Sequence, residues 1–389
     1  MSKVLNVTVD FTKSSGGSAI SVGQFTRAIP AGVVSLTRLG DLSDSNSYSG
    51  TCVHIPVRDD YLGAAYSYLS KANGDRLRAL IREAHLVICH KLFRYHAQVV
   101  MEECIAAGIP YMVVPHGGLD PYVFTYRRLQ KTAWFALVGN RFFRHASGVI
   151  YASEREMVKA ASRVPFARGH VINWYVQEPQ QSSRDLCKAR IWRRYGLKPG
   201  TRVYLMLGRL HSIKRIPEAV RAFQAAQLPD SALLIAGADD DYSAQEITSF
   251  AQRIGASQVR AIGPAYDNDK DDLLGAADYS VNVSHKENYC YSVVEGLSYG
   301  APAILTPGND LAETLVADGC AFCCTGYDDS DLEDVLRMSS RLGEKDLAAM
   351  RTRARAWART HASFETFCSR LSSLVDSVIH SCATAAVTG

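Results

Sequence analysis

The stretch that decides the fold is residues 281–310, VNVSHKENYCYSVVEGLSYGAPAILTPGND. A β-branched run is followed by a polar loop, a helical pattern and a second apolar run, and this order predicts strand, loop, helix and strand. Two strands connected through a helix pair in parallel, because the chain must cross over the sheet before it pairs again. The stretch therefore predicts one βαβ unit of a parallel sheet.

The same alternation of apolar runs and amphipathic stretches fills the rest of the chain. The runs that predict strands are KVLNVTV, GVVSLTR, TCVHIPV, HLVICHK and PYMVVPH before residue 120, and VYLMLG, ALLIAG, VRAIG, YSVNVS and APAILT after residue 200. These strands are too many for one sheet of ordinary size, and the pattern restarts near residue 200. We therefore predict an α/β protein with two doubly wound, Rossmann-like domains.

The predicted domain boundaries follow a change in composition near the middle of the chain. The first domain is expected at residues 1–172 and the second at 200–355, with a polar, proline-containing linker at 173–199. The helical segment 356–389 fits either domain and can pack back on the first one. Its last residues, SCATAAVTG, are expected to fray.

The composition excludes several classes of protein. Hydrophobic residues make up 47% and charged residues 21% of the 389 residues, and the formal net charge is +4. These values exclude a mostly disordered, collagen-like or coiled-coil chain, and they argue against a nucleic-acid binder. The sequence has no apolar run of membrane-spanning length, and MSKVLNVTVDF lacks the apolar core of a signal peptide, so we expect a cytoplasmic protein. The ten cysteines stand in apolar contexts and are expected to be buried thiols rather than metal ligands.

Ligands of open α/β sheets bind at the carboxyl ends of the strands, so the loops that follow strands carry the candidate chemistry. In GRLHSIK, Arg209 and Lys214 follow a strand, and two cations in one loop can converge on a dianion. In the stretch 281–310, Glu287 and Glu295 flank a helix that Asn288 to Tyr291 are expected to open. The helix amides attract phosphate, and the carboxylates accept hydrogen bonds from sugar or ribose hydroxyls. Glu295 stands in a buried-looking context and requires a partner.

Three further loops allow both a functional and a structural interpretation. Gly16 and Gly17, after the first strand, allow a ligand to approach the backbone or form a tight turn. His116, followed by two glycines, contacts a ligand or has a structural role. The acidic triplet Asp239 to Asp241 holds a divalent metal, lines a nucleotide pocket or caps a helix.

Residues 122–145, YVFTYRRLQKTAWFALVGNRFFRH, are basic and aromatic and contain no acidic residue. Arg127, Arg128 and Lys131 are its first three cations. Basic residues interleaved with aromatics are typical of a helix that binds anionic lipid or a lipid-linked, negatively charged acceptor. The alternative is an aromatic stripe that faces the core beneath a solvated basic face.

Taken in order, these segments resemble retaining glycosyltransferases of family 4, which have the GT-B fold of two Rossmann-like domains facing across a cleft. The resemblance rests on GGSA, PHGGLDPY, GRLHSIK, IAGADDDY and the two glutamates of SHKENYCYSVVEGLSYGAP, which have seven residues between them. It implies retaining transfer of a sugar from a UDP- or GDP-linked donor to a saccharide or polyprenyl-linked saccharide, in polysaccharide biosynthesis. It implies no cofactor and no metal, and it leaves a peripheral position on the inner face of a membrane open.

The resemblance also implies roles for single residues. Arg209 and Lys214 bind the donor diphosphate, Glu287 binds the donor sugar and Glu295 binds the ribose. His116 contacts the donor sugar at the reacting face, so that Glu287, His116, Arg209 and Lys214 form the implied catalytic set. The other implied donor-binding residues are Gly16, Gly17, Gly208, Tyr289, Cys290, Tyr291 and Ser292.

The chain departs from the commoner pattern of the family after the first glutamate. Asn288, Tyr289 and Cys290 stand where Gly or Phe-Gly is usual, so the resemblance does not identify the donor sugar. For retention, it implies front-face attack in which the departing phosphate oxygen accepts the proton of the acceptor. Two rival functions remain open: a nucleotide-sugar epimerase of the same architecture, and a nucleotide-sugar-binding protein without catalysis.

Overall fold

The structure is a computed structural model that describes residues 3–12, 16–38, 52–179 and 183–388, with the backbone alone for residues 64 and 383–388. The chain divides into two compact units. The first comprises Met1–Tyr175 and Phe364–Gly389, and the second comprises Val176–Ser363.

The first unit is built on a parallel sheet of seven strands, in the order β3-β2-β1-β4-β5-β6-β7. Its strands are β1 Val4–Val9, β2 Ala31–Thr37, β3 Cys52–Pro56, β4 Leu86–His90, β5 Tyr111–Val114, β6 Gly148–Tyr151 and β7 Gly169–Val171. The α-helices of this unit before residue 175 are α1 Gly17–Ala28, α2 Tyr61–Tyr66, α3 Lys71–Arg82, α4 Tyr95–Ala107, α5 Arg128–Trp134, α6 Asn140–His145 and α7 Glu154–Ala161. A 3-10 helix, Pro121–Thr125, precedes α5, and a π-helical turn, Phe135–Gly139, joins α5 to α6.

The second unit is built on a parallel sheet of six strands, in the order β10-β9-β8-β11-β12-β13. Its strands are β8 Arg202–Leu207, β9 Ser231–Ala236, β10 Val259–Gly263, β11 Tyr279–Asn282, β12 Ala303–Leu305 and β13 Ala321–Cys323. Its helices are α8 Arg184–Arg194, α9 Ile216–Ala226, α10 Ala244–Arg253, α11 Asp267–Ala276, α12 Tyr291–Tyr299, α13 Ala312–Ala317, α14 Asp329–Ser340 and α15 Glu344–His361, and the last helix of the chain is α16 Phe364–Thr388.

The strands form where the sequence predicts them, because a strand covered on both faces must be apolar along its whole length. All six residues of β1 and all five residues of β4 are buried. The predicted α/β class is therefore confirmed. The sequence analysis did not predict β6, β7 and β13, which have only three or four residues each and lack a long β-branched run.

Two segments differ from the sequence-based expectation. Within the expected linker 173–199, residues Arg184–Arg194 form α8, which buries Cys187 and Ile191 in an apolar cluster of the second unit. The C-terminal segment expected at 356–389 is divided, since α15 extends to His361 in the second unit and α16 belongs to the first. Residues expected to fray continue α16 to Thr388.

A buried carboxylate joins distant parts of the second unit. Asp278 precedes β11 and accepts hydrogen bonds from the amide of Val203 at 2.8 Å and from Arg184 at 2.8 Å. Its carboxylate also pairs with Lys188 at 2.9 Å and with Arg351. Burial raises the pKa of Asp278, but the charges of Lys188 and Arg184 outweigh burial, and the pKa is lowered. One aspartate thus connects α8, β8 and α15.

We expect Asp278→Ala to lower the free energy of unfolding of the second unit by about 3–5 kcal/mol, because it leaves three cations without their shared buried partner. Asp269→Ala is the matched control, since Asp269 is exposed and its ion pair among the described residues is with the exposed Arg194. Its cost should stay below about 1 kcal/mol. Urea unfolding of both full-length variants measures the difference, and equal costs would contradict the structural role of Asp278.

Candidate active site

The loop after β8 is shaped by two glycines. Gly208 has φ 147°, a value that favours glycine. A Cβ atom on Gly237, which follows β9, would lie only 1.8 Å from the carbonyl oxygen of Gly208. The backbones after the two strands therefore approach each other more closely than a larger residue would permit. A crevice beside this loop is lined by residues that include Gly208, Arg209, Lys214 and Asn282.

Both predicted phosphate-binding cations lie beside this crevice, and each is paired with a carboxylate. Lys214, which ends the 3-10 helix Ser212–Lys214, places its Nζ atom 2.5 Å from Oε2 of Glu287. Arg209 is mostly exposed and pairs with Asp240 at 2.5 Å. The structure thus brings Lys214 and Glu287 together, although they are far apart in sequence.

The backbone of Glu287 is held by a second loop of the same unit. The amide of Glu287 donates to the carbonyl of Gly308 at 2.9 Å, and the amide of Asp310 donates to the carbonyl of Glu287 at 2.9 Å. The hydroxyl of Ser284 lies 3.3 Å from Oε2 of Glu287. The loops that follow β11 and β12 therefore fix Glu287 beside the ammonium group of Lys214.

The pair of Lys214 and Glu287 keeps the lysine charged. Burial lowers the pKa of Lys214, but the charge and hydrogen bond of Glu287 outweigh burial, so the pKa is raised. Side chains of both residues are about one-fifth exposed, at 18% and 21%. An incoming anion therefore meets an ammonium group that is already charged. The anion either shares this ammonium group with the carboxylate of Glu287 or displaces the carboxylate from it.

The helix after Glu287 begins later than the sequence predicts. Helix α12 starts at Tyr291, and Asn288 lies in the preceding loop. In the described part of the chain no side chain caps this helix, so its first turn presents backbone amides. Cys290 is buried, with its Sγ atom 3.1 Å from Nδ2 of Asn282 and 3.3 Å from the hydroxyl of Ser292. Because Asn282 lines the crevice, the start of α12 lies next to it.

Tyr289 is also buried and packs edge to face against Tyr291, with the ring centroids 5.4 Å apart. Burial raises the pKa of Tyr289 and raises the pKa of Cys290 to about 11, so both side chains are neutral. The side chains of these predicted donor-binding residues therefore support the loop. Their backbone, rather than a charged side chain, is what they offer to a ligand.

Glu295 has the partner that its buried context requires. Its Oε1 atom pairs with Nζ of Lys270 on α11 at 2.6 Å. Burial raises the pKa of Glu295, and the charge of Lys270 opposes this effect. The sequence analysis did not single out Lys270. It stands within the acidic run DNDKDDLL, and nothing in that run indicates a pairing with Glu295.

The acidic triplet Asp239 to Asp241 contacts the start of α10 and the loop after β8. Asp239 accepts from the amide of Ala244 at 3.0 Å, Asp240 pairs with Arg209, and Asp241 accepts from the amide of Ser212 at 2.9 Å. The helix-capping alternative thus describes Asp239. Within the described ranges no group of three or more His, Cys, Asp or Glu side chains is arranged to hold a metal ion.

In the first unit, His116 belongs to a chain of polar side chains. Its Nε2 atom lies 3.1 Å from Nδ1 of His90, and Nε2 of His90 lies 2.9 Å from Oδ1 of Asn6. On the other side, Nδ1 of His116 lies 3.4 Å from the hydroxyl of Ser21, which donates to the carbonyl of Gly17. The Gly16–Gly17 turn and His116, which the sequence separates by about a hundred residues, therefore meet through Ser21.

Gly16 has φ 64° and precedes α1, which begins without a side-chain cap from any described residue. The loop of His116 is positioned by Glu156, a residue that the sequence analysis missed. Glu156 is buried and accepts from the amides of Gly117 at 2.7 Å and Ala152 at 2.8 Å. It occupies the first turn of α7, where an acidic residue is common and gives no sign of this additional role.

Several non-glycine residues at the carboxyl edge of the first sheet have left-handed backbone conformations. They are Asp10, Lys91, Phe93, His116 and Arg127, with φ between 50° and 67°. Asp10, Lys91 and His116 follow β1, β4 and β5 closely. Each such conformation costs on the order of 1 kcal/mol and persists only where the surrounding structure imposes it, and such residues concentrate at functional sites.

The basic and aromatic segment divides between core and surface. Its buried aromatic residues are Phe124, Trp134, Phe135, Phe142 and Phe143. Leu129 and Leu137 are 85% and 81% exposed, and Tyr122 and Tyr126 are also exposed. Lys131 donates to the carbonyls of Val123 at 2.5 Å and Tyr126 at 2.8 Å. Its ammonium group is therefore less available to an external ligand than the sequence predicts. None of the helices in the described residues has the length and apolar character needed to cross a bilayer.

The buried histidines predict that the first unit loses stability in mild acid. Burial lowers the pKa of His96 from 6.5 to about 4, and burial with the charge of Lys91 lowers the pKa of His116 to about 3. The unfolded chain therefore takes up protons at a higher pH than the folded chain. We expect the free energy of unfolding to fall as the pH drops from about 6.5 to 4.5, by up to about 1.4 kcal/mol per pH unit for each histidine.

Urea unfolding at a series of pH values measures this slope in the full chain. His96→Gln should reduce it, whereas His145→Gln, at the exposed end of α6, should leave it unchanged. An equal slope in both variants would show that the buried histidines are not its cause.

Comparison with known proteins gives a family match within the second unit and similar folds over nearly the whole chain. Residues 188–357 match the family model described as Glycosyl transferases group 1. A comparison with curated protein sequences found no match.

Several solved structures superpose on nearly the whole chain. Anabaena HepE, solved in complex with UDP and glucose, superposes with a TM-score of 0.75 at 16% identity, over 97% of this chain and 100% of that chain. Sucrose-phosphate synthase from Thermosynechococcus elongatus gives 0.75 at 18% identity, over 98% and 100%. WaaG, a glycosyltransferase involved in lipopolysaccharide biosynthesis, gives 0.64 at 15% identity, over 94% and 98%. The chain therefore has the predicted GT-B fold, two α/β units with parallel sheets, and its residues 188–357 match a glycosyltransferase family.

Proposed function

We propose that this protein is a retaining glycosyltransferase that moves a sugar from a nucleoside-diphosphate sugar to a saccharide or lipid-linked saccharide. The observation that carries the proposal is the pair of Lys214 and Glu287, held next to the first turn of α12. A charged ammonium group and free helix amides suit phosphate, and the adjoining carboxylate suits sugar hydroxyls. The match of residues 188–357 to a glycosyltransferase family supports the same activity.

The donor diphosphate is proposed to bind between Arg209 and Lys214. The difficult step of transfer is the departure of the nucleoside diphosphate, which develops negative charge on a phosphate oxygen. Fixed cations and helix amides stabilise that charge without rearranging during the reaction. This neutralisation is why we propose that no metal or other cofactor is required.

Glu287 and Glu295 are proposed to bind the donor rather than to act as the acid and nucleophile of a glycosidase. Both carboxylates are paired with lysines, Lys214 and Lys270, and a paired carboxylate is a poorer nucleophile than a free one. For Glu295 we propose the ribose, and for His116 contact with the donor sugar. Retention then proceeds by front-face attack, in which the leaving phosphate oxygen takes the proton of the acceptor hydroxyl.

HepE was solved with UDP and glucose, which supports testing uridine nucleotides first. A role in polysaccharide synthesis and a peripheral position on an anionic membrane are proposed from the basic segment. Its exposed Leu129 and Leu137 belong to the same segment as Arg128, Arg141 and Arg144, which are also exposed. A segment that exposes both apolar and basic side chains suits the interface of an anionic bilayer.

We expect Glu287→Ala to lower sugar transfer by about a hundredfold or more while UDP or GDP still binds, because the carboxylate orients the sugar and not the nucleotide. Loss of Glu287 also frees Lys214 for phosphate, so nucleotide affinity should hold or rise. Chromatography of products measures transfer, and calorimetry measures nucleotide binding. Asp318→Ala, an exposed acid after α13, is the control. Complete loss of nucleotide binding in Glu287→Ala would contradict the assigned role.

The membrane proposal predicts that Arg128→Glu and Leu137→Ser each weaken binding to phosphatidylglycerol vesicles, the charge reversal by about tenfold. Vesicle sedimentation with the full chain measures the change. Arg193→Glu and Val158→Ser are matched controls, since Arg193 is an exposed arginine of α8 and Val158 is 69% exposed on α7. Equal binding by all four variants would remove the membrane proposal.

A further inference from the structure

Three cations of the first unit gather at the carboxyl edge of its sheet. Lys91 directly follows β4, Arg94 directly precedes α4, and Arg127 directly precedes α5. We call these three residues the edge cations. The parallel register brings them near the ends of β1 and β2, because Val9 pairs with Leu36 and Val7 pairs with Cys89.

The edge cations are held by backbone oxygens and a ring rather than by acids. Nζ of Lys91 donates to the carbonyl of Val9 at 2.8 Å, and the guanidinium of Arg94 donates to the carbonyl of Ala65. Arg127 stacks over the ring of Tyr126 at 5.2 Å. Within the described residues, none of the edge cations forms an ion pair with a carboxylate.

Among the described residues, positive charge exceeds negative charge around the edge cations. Asp10 is the acid that acts on Lys91 and Arg94, and Arg38 adds a further positive charge near Arg94. Burial and these cationic neighbours lower the pKa of both residues, and Asp10 only partly opposes the effect. Half-buried cations whose desolvation is only partly offset by an acid are uncommon.

The backbone adds two observations that point to a ligand. Lys91 and Arg127 have left-handed conformations, with φ 67° and 50°, that the surrounding structure must hold. Helix α4 has 13 residues, and no described side chain caps its first turn. Its amides therefore face the same edge as Arg94 and favour an anion there.

We propose that the edge cations and the N-terminus of α4 bind a phosphate or diphosphate ester in the first unit. The arginine forks contact two phosphate oxygens each, and Lys91 supplies a point charge. Resting on the proposed function, this site gives the acceptor a chemical class: a saccharide that carries phosphate. Two sources share that chemistry, a phosphorylated sugar and a saccharide linked to an isoprenoid through diphosphate.

The first test uses inorganic pyrophosphate and the full chain with Arg209→Ala and Lys214→Ala, which removes both cations of the second unit's loop. Calorimetry should show that this background protein still binds pyrophosphate. Adding Arg94→Gln or Arg127→Gln should weaken binding by about tenfold or more, since each removes a charged bidentate contact. Adding Arg76→Gln, the same change on the exposed face of α3, should leave binding within about twofold.

No binding by the background protein, or equal binding with and without Arg94→Gln and Arg127→Gln, overturns the proposal. Arg127 is exposed, so its variant keeps the test decisive if Arg94→Gln does not fold. A background protein that binds pyrophosphate through the edge cations, together with nucleoside-diphosphate binding that Arg209→Ala and Lys214→Ala leave unchanged, would leave this site standing and remove the donor proposal.

The second test separates the two sources in the wild-type chain. Glucose 1-phosphate and farnesyl diphosphate are compared as probes, each with and without Arg127→Gln. Tighter, Arg127-dependent binding of farnesyl diphosphate identifies the lipid-linked class, and the reverse order identifies the phosphosugar class. Binding of either probe that does not depend on Arg127 counts against the site.

Discussion

Each described strand of the two sheets runs parallel to its neighbours, and this shared direction fixes where the connecting loops lie. Parallel neighbours cannot be joined by a tight turn, so the chain returns through a helix each time, and every loop that follows a strand lies at one edge of its sheet. This places Arg209, Lys214 and Glu287 on loops after β8 and β11, and His116 and Lys91 after β5 and β4. The candidate functional residues of each unit therefore lie at the carboxyl edge of its sheet, because they stand on the loops that follow the strands.

The candidate ligand-binding cations of the two units have different kinds of partner. In the second unit, Arg209, Lys214 and Lys270 each pair with a carboxylate of the same unit. Such pairs keep the cations charged and oriented, and an anion replaces one partner with another. In the first unit, Lys91 and Arg94 contact backbone carbonyls, which orient a cation but do not neutralise it. The proposed ligand supplies the missing negative charge.

Local sequence signals predicted much of the fold and some of the site. Buried parallel strands are apolar throughout, so β1, β4, β8 and β9 were evident, whereas β13, Ala321–Cys323, contains no β-branched residue that would mark it as a strand. The cations after β8 were evident because a glycine, an arginine and a lysine follow an apolar run. Glu156, His90 and Lys270 were missed, because their roles depend on partners that are distant in sequence.

The sequence by itself determined the α/β class, the two-unit organisation and the loops in which the chemistry resides, because these follow from periodicity and from residues adjacent along the chain. The pairing of charges follows from the folded structure instead. Lys214 faces Glu287, Lys131 donates to backbone carbonyls, and Lys91 donates to a backbone carbonyl and forms no ion pair with a carboxylate among the described residues. The physical reason is that an ion pair depends on distances of a few ångströms between side chains, which only the packing of the strands and helices can set.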